Sequence, residues 1–157
     1  MKGTVVYYSK WGNCEQVAQA IERGLEESGQ DVSLVEARSV QGLGGDLEFL
    51  VVGSPTRVGK MAGPVRKFIK REITGDWSGR PFAAFGTKMG SPGEKGKPES
   101  AYDINRALTE KGLEPVAGPF EATVSGMKGR LTEGALDLAF QFGKEVGEAL
   151  RGQGLSV

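Results

Sequence analysis

Six residues near the start of the chain bring hydroxyl, amide and thiol groups together in one short polar segment, SKWGNC, at residues 9–14. The apolar run TVVYY precedes this segment, and an amphipathic helical pattern follows it immediately. The first turn of a helix presents unpaired backbone N–H groups that suit a phosphate group, and Ser9 and Asn13 would add side-chain donors. An ordinary strand-to-helix turn capped by Asn13 explains the same residues. The segment alone leaves both interpretations open.

The only cysteine of the chain, Cys14, raises the question of a reactive thiol. A thiol at the start of a helix can have a lowered pKa. A phosphatase of the C-x5-R type would need an arginine at position 20, where the chain has Ala20. Cys14 also falls on the apolar stripe of the helix that follows it. We therefore interpret Cys14 as a small buried residue or a member of the phosphate segment, in preference to a nucleophile.

Two further segments combine small, polar and basic residues: GSPTRVGKMAGP at residues 53–64 and GTKMGSPGEKGKP at residues 86–98. In the first, glycines let the backbone approach a flat ligand, and the planar guanidinium of Arg57 can lie against an aromatic ring. In the second, Thr87 stands where a strand ends, and Met89 offers a polarisable contact. Ordinary connecting loops are the alternative, above all for the later part of the second segment.

Alternating strand and helix patterns separate these segments. Continuous β-branched and aromatic runs predict strands, and apolar residues at helical spacing predict helices. The connection RSVQGLGGD between the second and third strands is too short for a full crossover helix. The predicted strands are residues 4–8, 31–37, 47–53, 81–86 and 114–122, and the predicted helices are residues 13–28, one from Pro64, one from Glu99 or Ser100 to Gly112, and one capped by Thr132.

Strand–helix alternation predicts an α/β fold in which right-handed crossovers join parallel strands and helices cover both faces of the sheet. Ligands of such doubly wound sheets bind outside the carboxyl ends of the strands. The three polar segments follow the first, third and fourth predicted strands, so we expect them to meet at that edge. The length predicts one domain over residues 1–151, with a flexible tail at residues 152–157.

Composition and charge exclude several classes of function. Twenty basic residues balance 20 acidic ones, so no general field attracts nucleic acid or a membrane surface. The chain has no histidine, which excludes imidazole metal sites and histidine acid–base catalysis. No apolar run approaches a membrane span, and the N-terminus lacks the pattern of a signal peptide. A single cysteine excludes an internal disulfide. We expect a cytoplasmic protein with neither nucleic acid nor a membrane as partner.

Two of the three segments resemble motifs of the flavodoxin-like FMN-binding family. YYSKWGN resembles its phosphate loop, of the S-x-x-G-N/H type. GSPTRVGKMAGPVRKF is similar to a loop of the NAD(P)H:quinone oxidoreductase branch, the tryptophan-repressor-binding-protein-like proteins, where the pattern is P-T-R-[aromatic]-G-N-M-A-G. The resemblance covers essentially the whole chain. It implies a flavodoxin-like sheet of five parallel strands in the order 2-1-3-4-5, with the second crossover helix reduced.

The resemblance also implies a non-covalent FMN, no metal and no catalytic side chain. The first segment would hold the phosphate, the second would flank the isoalloxazine, and the start of the third would close the other side. A backbone carbonyl or N–H near residue 59 would then meet flavin N5. The implied cofactor-binding residues are Ser9, Lys10, Trp11, Gly12, Asn13, Cys14, Pro55, Thr56, Arg57, Val58, Gly59, Thr87, Lys88, Met89 and Gly90.

Three positions depart from the family patterns. Cys14 stands where a hydroxyl residue usually ends the phosphate loop, Val58 replaces a frequent aromatic, and the third segment lacks the usual tyrosine. Trp11 could supply aromatic cover for the ring, or could be a half-exposed packing residue.

The resemblance leads to three hypotheses. The first is an FMN protein that transfers electrons between redox partners, and the second is an FMN-dependent NAD(P)H:quinone or flavin reductase. The third is a flavodoxin-fold module that has lost flavin. The segment that begins at Arg57 and ends at Arg71 contains six basic residues, these two included, and no acidic one. They indicate an acidic redox partner or an anionic nucleotide such as NAD(P)H, with a solvated helix face as the alternative.

Overall fold

A computed structural model of the chain describes residues 1–90, 99–126 and 128–155. A single 3-10 turn, Ala37–Ser39, joins the second strand to the third. The strands are β1 (Lys2–Tyr7), β2 (Asp31–Glu36), β3 (Phe49–Arg57), β4 (Lys60–Met61), β5 (Pro81–Met89), β6 (Glu114–Pro115) and β7 (Phe120–Val124), and the helices are α1 (Asn13–Glu27), α2 (Gly63–Glu72), α3 (Ser100–Glu110) and α4 (Ala135–Leu155).

The sheet is doubly wound, as predicted. Parallel pairing places β2, β1, β3 and β5 side by side, and both β6 and β7 pair with the far edge of β5. The predicted order 2-1-3-4-5 is therefore confirmed, with the fifth position divided between two strands. The irregular strand expected over residues 114–122 breaks in the middle, because the segment ahead of β7 contains Pro119, which cannot donate to a ladder. The predicted loss of the second crossover helix is also confirmed.

Two strands are longer than the sequence patterns predicted. β3 was expected to end at Gly53 and β5 at Gly86, but they continue to Arg57 and Met89. The reason is tertiary: Ser54 and Pro55 of β3 pair with β5, and the extension of β5 pairs with β7 on its other side. Parts of the second and third polar segments are therefore strands and not loops.

The last helix begins later than predicted. Thr132 does not cap it, because its N–H donates to the carbonyl of Thr123 at 2.9 Å and its hydroxyl contacts the hydroxyl of Thr123. This pairing holds Thr132 against β7, and α4 starts at Ala135. At the other end, residues 152–155 of the expected tail are helical, and residues 156 and 157 lie outside the described residues. No helix in the described part of the chain is long and apolar enough to cross a membrane.

Helices cover the sheet on both faces, but with different packing. On one face, α1 and α4 approach each other through glycines. A Cβ atom on Gly24 would lie 2.3 Å from the carbonyl oxygen of Phe140, and one on Gly143 would lie 2.3 Å from that of Ile21. On the other face, α2 and α3 pack on an apolar layer that includes Leu50, Val52 and Phe82.

The glycine contact between α1 and α4 gives a test of the packing. We expect Gly143→Ala to lower the free energy of unfolding by about 1–3 kcal/mol, because a Cβ atom would push the helices apart. Helix propensity alone would favour alanine by about 1 kcal/mol. Urea denaturation measures the difference. Gly63→Ala at the start of α2 is the matched control, since its Cβ atom would meet nothing within 4 Å. Equal effects of the two substitutions would contradict the packing.

Candidate cofactor site

The carboxyl ends of β1, β3 and β5 surround a cavity of about 730 Å³, a volume that includes solvent at its mouth. All but one of its lining residues belong to the set that the resemblance assigned to FMN. The exception is Val124 of β7, and the assigned residues that do not line the cavity are Gly12, Gly59 and Gly90. The other lining residues are Ser9, Lys10, Trp11, Asn13, Cys14, Pro55, Thr56, Arg57, Val58, Thr87, Lys88 and Met89.

The first wall is the segment between β1 and α1. Gly12 occupies the N-cap position of α1 with φ of 93°, a left-handed conformation that suits glycine. Its N–H donates to Oγ of Ser9 at 3.1 Å, which closes the turn. The alternative of a turn capped by Asn13 does not hold, because the N-cap residue is Gly12 and Nδ2 of Asn13 donates to the carbonyl of Gly129 at 2.6 Å. Asn13 thus ties the segment before α4 to the start of α1.

Cys14 lies under this wall, with 2% of its surface exposed. Burial raises the pKa of its thiol far above the usual range, and the nearby carboxylate of Glu121 raises the pKa further. The thiol therefore stays protonated at neutral pH and is a poor nucleophile.

The second wall is a hairpin formed by β3 and β4, with Val58 and Gly59 at its tip. Both tip residues have positive φ, 50° for Val58 and 77° for Gly59. Two such residues form the turn that matches the twist of a hairpin, where asparagine and glycine are favoured. A β-branched residue is strained there, and the side chain of Val58 is fully exposed. Strain of this kind concentrates at functional sites.

The third wall is the end of β5. The side chain of Thr87 is buried, and that of Met89 is largely exposed. The N–H of Gly90 donates to the carbonyl of Val124 at 3.0 Å, so pairing with β7 holds this wall in place. The rest of the third polar segment, residues 91–98, lies outside the described residues.

The mouth of the cavity is rich in cations. The ring of Trp11, which is 44% exposed, has Nζ of Lys10 at 5.2 Å and Nζ of Lys128 at 4.8 Å from its centroid. Arg57 and Lys88 also line the cavity, whereas no carboxylate does so among the described residues. The described part of the chain contains no cluster of three or more side chains suited to a metal ion. The site is therefore suited to an anionic ligand.

The sequence patterns did not predict the buried carboxylate that lies beneath the cavity. Oε1 of Glu121 on β7 accepts hydrogen bonds from the N–H groups of Glu99 at 3.0 Å and Ala101 at 2.9 Å, at the start of α3. It also lies 3.0 Å from Oγ of Ser100. A negative charge is favourable at a helix N-terminus. The signal in the sequence is Glu121 itself, a carboxylate between Phe120 and Ala122 in an otherwise apolar stretch.

Ser100 connects this carboxylate to the cavity wall. Its hydroxyl accepts from the hydroxyl of Thr56 at 3.0 Å and lies 2.9 Å from the carbonyl oxygen of Ser54, to which it can donate. Gly86 lies beside the group, where a Cβ atom would come within 2.1 Å of the Ser100 hydroxyl and 2.6 Å of Oε2 of Glu121. The start of α3 is therefore held against the end of β3, which forms the second wall.

The environment of Glu121 favours its protonated form. Loss of solvent raises the pKa of the carboxyl group, and the N–H groups of Ala101 and Glu99 and the charge of Lys88 oppose that effect without cancelling it. Oε2 is buried and accepts no hydrogen bond from the described residues. The ionised form is consequently a source of strain at neutral pH.

An open doubly wound sheet in the order 2-1-3-4-5, with a cavity across the carboxyl ends of its central strands, is the flavodoxin-like arrangement. The chain belongs to the flavodoxin family, since the model of the flavodoxin domain matches residues 4–136. Proteins of this family bind FMN non-covalently and transfer electrons. The cavity suits that cofactor, because its lining is cationic and contains no carboxylate among the described residues, as a phosphate ester requires.

Individual relatives agree with this assignment. A flavodoxin of Clostridium saccharobutylicum is 28% identical over an alignment of 124 residues that covers 75% of this chain and 74% of that protein. The structure of a flavodoxin from the domain Archaea superposes with a TM-score of 0.76 and 25% identity, covering 96% of this chain and 99% of that chain. A WrbA-like flavodoxin from Agrobacterium tumefaciens shares the fold, with a TM-score of 0.70, 19% identity and coverage of 96% and 97%.

The hairpin tip yields a prediction about strain. We expect Val58→Asn to raise the free energy of unfolding of the cofactor-free protein by about 0.5–1 kcal/mol, because asparagine tolerates positive φ. Chemical denaturation provides the measurement. Val58→Ile keeps the β-branch and serves as the control, for which we expect no gain. Destabilisation by asparagine would show that Val58 makes contacts that outweigh its strain.

Glu121 yields a prediction about pH. Its pKa is raised in the folded protein, so the folded state holds the proton more tightly than the unfolded state. As the pH falls through that raised pKa toward the ordinary glutamate value of about 4.3, the wild type should gain stability relative to Glu121→Gln. Glutamine keeps an acceptor for the N–H groups of α3 but does not titrate.

Urea denaturation of the wild type and Glu121→Gln across this pH range tests the prediction. Glu114→Gln, which replaces an exposed carboxylate on β6, controls for the general change in net charge. A stability difference between the wild type and Glu121→Gln that does not change with pH would contradict the raised pKa.

Proposed function

We propose that this chain is a one-domain FMN protein that carries electrons between redox partners in the cytoplasm. The observation that carries the proposal is the assembly of one cavity from three separate polar segments at the carboxyl edge of the sheet. FMN would supply the redox chemistry, and the chain would supply binding, orientation and electrostatics.

Each wall would have a separate part in holding the cofactor. The first turn of α1 and the hydroxyl of Ser9 would bind the phosphate, with Lys10 close by to balance its charge. The hairpin tip at Val58 and Gly59 and the end of β5 at Thr87 and Met89 would hold the two sides of the ring system. The backbone of the tip, rather than a side chain, would face the reactive edge of the ring.

The charges at the cavity mouth support an anionic or acidic partner. Arg57 and Lys60 on the hairpin have no ion-pair partner among the described residues. Unpaired cations at the entrance of a site attract acidic groups and accelerate their association. A redox protein with an acidic docking face is the partner that this distribution favours.

A second candidate is an FMN-dependent NAD(P)H:quinone or flavin reductase. The observation in its favour is the hairpin segment SPTRVGKMAG together with the same cations, which would also attract the phosphates of a nicotinamide nucleotide. Steady-state oxidation of NAD(P)H by the FMN-loaded protein separates the candidates. A carrier should show negligible turnover without a separate reductase, whereas a reductase should turn over alone with a quinone or free flavin.

An FMN titration followed by flavin fluorescence tests the cofactor site itself. We expect saturable binding at micromolar protein and a Kd about tenfold higher for Ser9→Ala, which loses the hydroxyl that closes the turn at Gly12. Ser39→Ala, in the exposed 3-10 turn, should bind as the wild type does. No saturable binding by the wild type would overturn both redox candidates and leave a flavodoxin-fold module without flavin.

A further inference from the structure

A second depression lies on the face of the sheet that α2 and α3 cover. Parallel crossovers usually contain a helix that packs on the sheet. The connection from β2 to β3 contains only the 3-10 turn Ala37–Ser39. None of the six residues of β2 is fully buried, in contrast to the neighbouring β1. This face therefore has a groove beside α2, where a crossover helix would otherwise lie.

The groove has an apolar floor between walls that contain cations. It encloses about 1020 Å³, including the solvent at its mouth. One wall is the 3-10 turn with Arg38, and the other is α2 with Lys67 and Arg71. Val40 and Phe68 supply apolar surface between them. An occupant with apolar groups on one side and carboxylates on the other would match this lining.

The cations of α2 are available to such an occupant. Lys67 and Arg71 lie one helical turn apart, and both are exposed. Neither has an ion-pair partner among the described residues, whereas Arg38 pairs with Glu36 at 3.1 Å. Glu72 is the one carboxylate among the residues that line the groove. The groove thus has an excess of positive charge.

The backbone of the groove argues against a phosphate ligand. Phosphate sites at helix starts use free N–H groups. At the start of α2, Pro64 has no N–H, and the N–H groups of Val65 and Arg66 both donate to the carbonyl of Ala62 at 3.1 Å. The groups that can bind a negative charge here are the separate side chains of Lys67 and Arg71 beside an apolar surface. Their spacing suits several carboxylates along a peptide segment.

We propose that this groove docks an acidic amphipathic helix of the redox partner, an inference that rests on the proposed electron-transfer function. α2 begins at Gly63, two residues after the hairpin strand β4, so one end of the groove adjoins the second wall of the cavity. α2 is about 15 Å long, enough to contact about three turns of a bound helix. A partner seated in the groove would face the mouth of the cavity.

Fluorescence anisotropy with a defined probe tests the proposal on the FMN-loaded protein. The probe is a fluorescein-labelled helical peptide of about four turns, with leucines on one face and glutamates on the other. We expect saturable, salt-sensitive binding by the wild type. Lys67→Glu/Arg71→Glu should raise the Kd about tenfold or more, because two attractive contacts become repulsive.

The control variant is Arg23→Glu/Lys70→Glu, which changes the net charge equally. Lys70 lies on α2 outside the groove, and Arg23 lies on α1 across the sheet. The control should bind the peptide within about twofold of the wild type, because neither of its substituted residues lines the groove. All three proteins should bind FMN equally. If the wild type binds FMN but not the peptide, the docking proposal is overturned and the proposed cofactor site is not.

Three other results would also overturn it. Equal loss of peptide binding in both double variants would show a general charge effect. Displacement of the peptide by NADPH, dependent on Lys67 and Arg71, would assign the groove to a nucleotide. A concentration-dependent dimer in sedimentation, abolished by Lys67→Glu/Arg71→Glu but not by the control, would assign it to a second copy of this chain.

Discussion

The hydrogen bonds between the carboxylate of Glu121 and the start of α3 are the contact on which the cavity depends. A buried charge is costly unless hydrogen bonds compensate for its lost solvent. Here the N–H groups of Glu99 and Ala101 offset part of that cost at one oxygen, and Ser100 extends the network to Thr56. The network joins β7, α3 and β3 at the level where the sheet ends, and so fixes the distance between two walls of the site.

This network also accounts for the small residue at the centre of the edge. Position 86 lies between Ser54 of β3 and Glu121 of β7 in the ladder, and only hydrogen fits where its side chain would be. A larger residue would displace the serine hydroxyl or the carboxylate. Gly86 therefore makes room for the polar groups that pack beneath the site, and the next residue, Thr87, lines the cavity.

The two faces of the sheet divide structure and recognition between them. α1 and α4 meet through glycines and form a closely packed layer. The opposite face lacks one crossover helix, and Lys67 and Arg71 of its α2 have no ion-pair partner among the described residues. The buried carboxyl group of Glu121 lies under the cofactor cavity, and the exposed positive charge lies around it. Because the cations around the cavity remain exposed, they can attract an acidic partner to the surface.

Local patterns in the sequence determined which elements form and which segments meet. Periodicity is a property of a few neighbouring residues, so the parallel strands, the four helices and the short second crossover were predictable. The residues assigned to FMN came from the resemblance of short motifs, and they include all but one of the residues that line the cavity. The lengths of β3 and β5 were not predictable, because Ser54–Arg57 and Thr87–Met89 become strands only through pairing with distant strands. The role of Asn13, the strained turn at Val58, and the burial of Glu121 against α3 likewise depend on atoms that are far apart in the chain. Only the tertiary structure decided them.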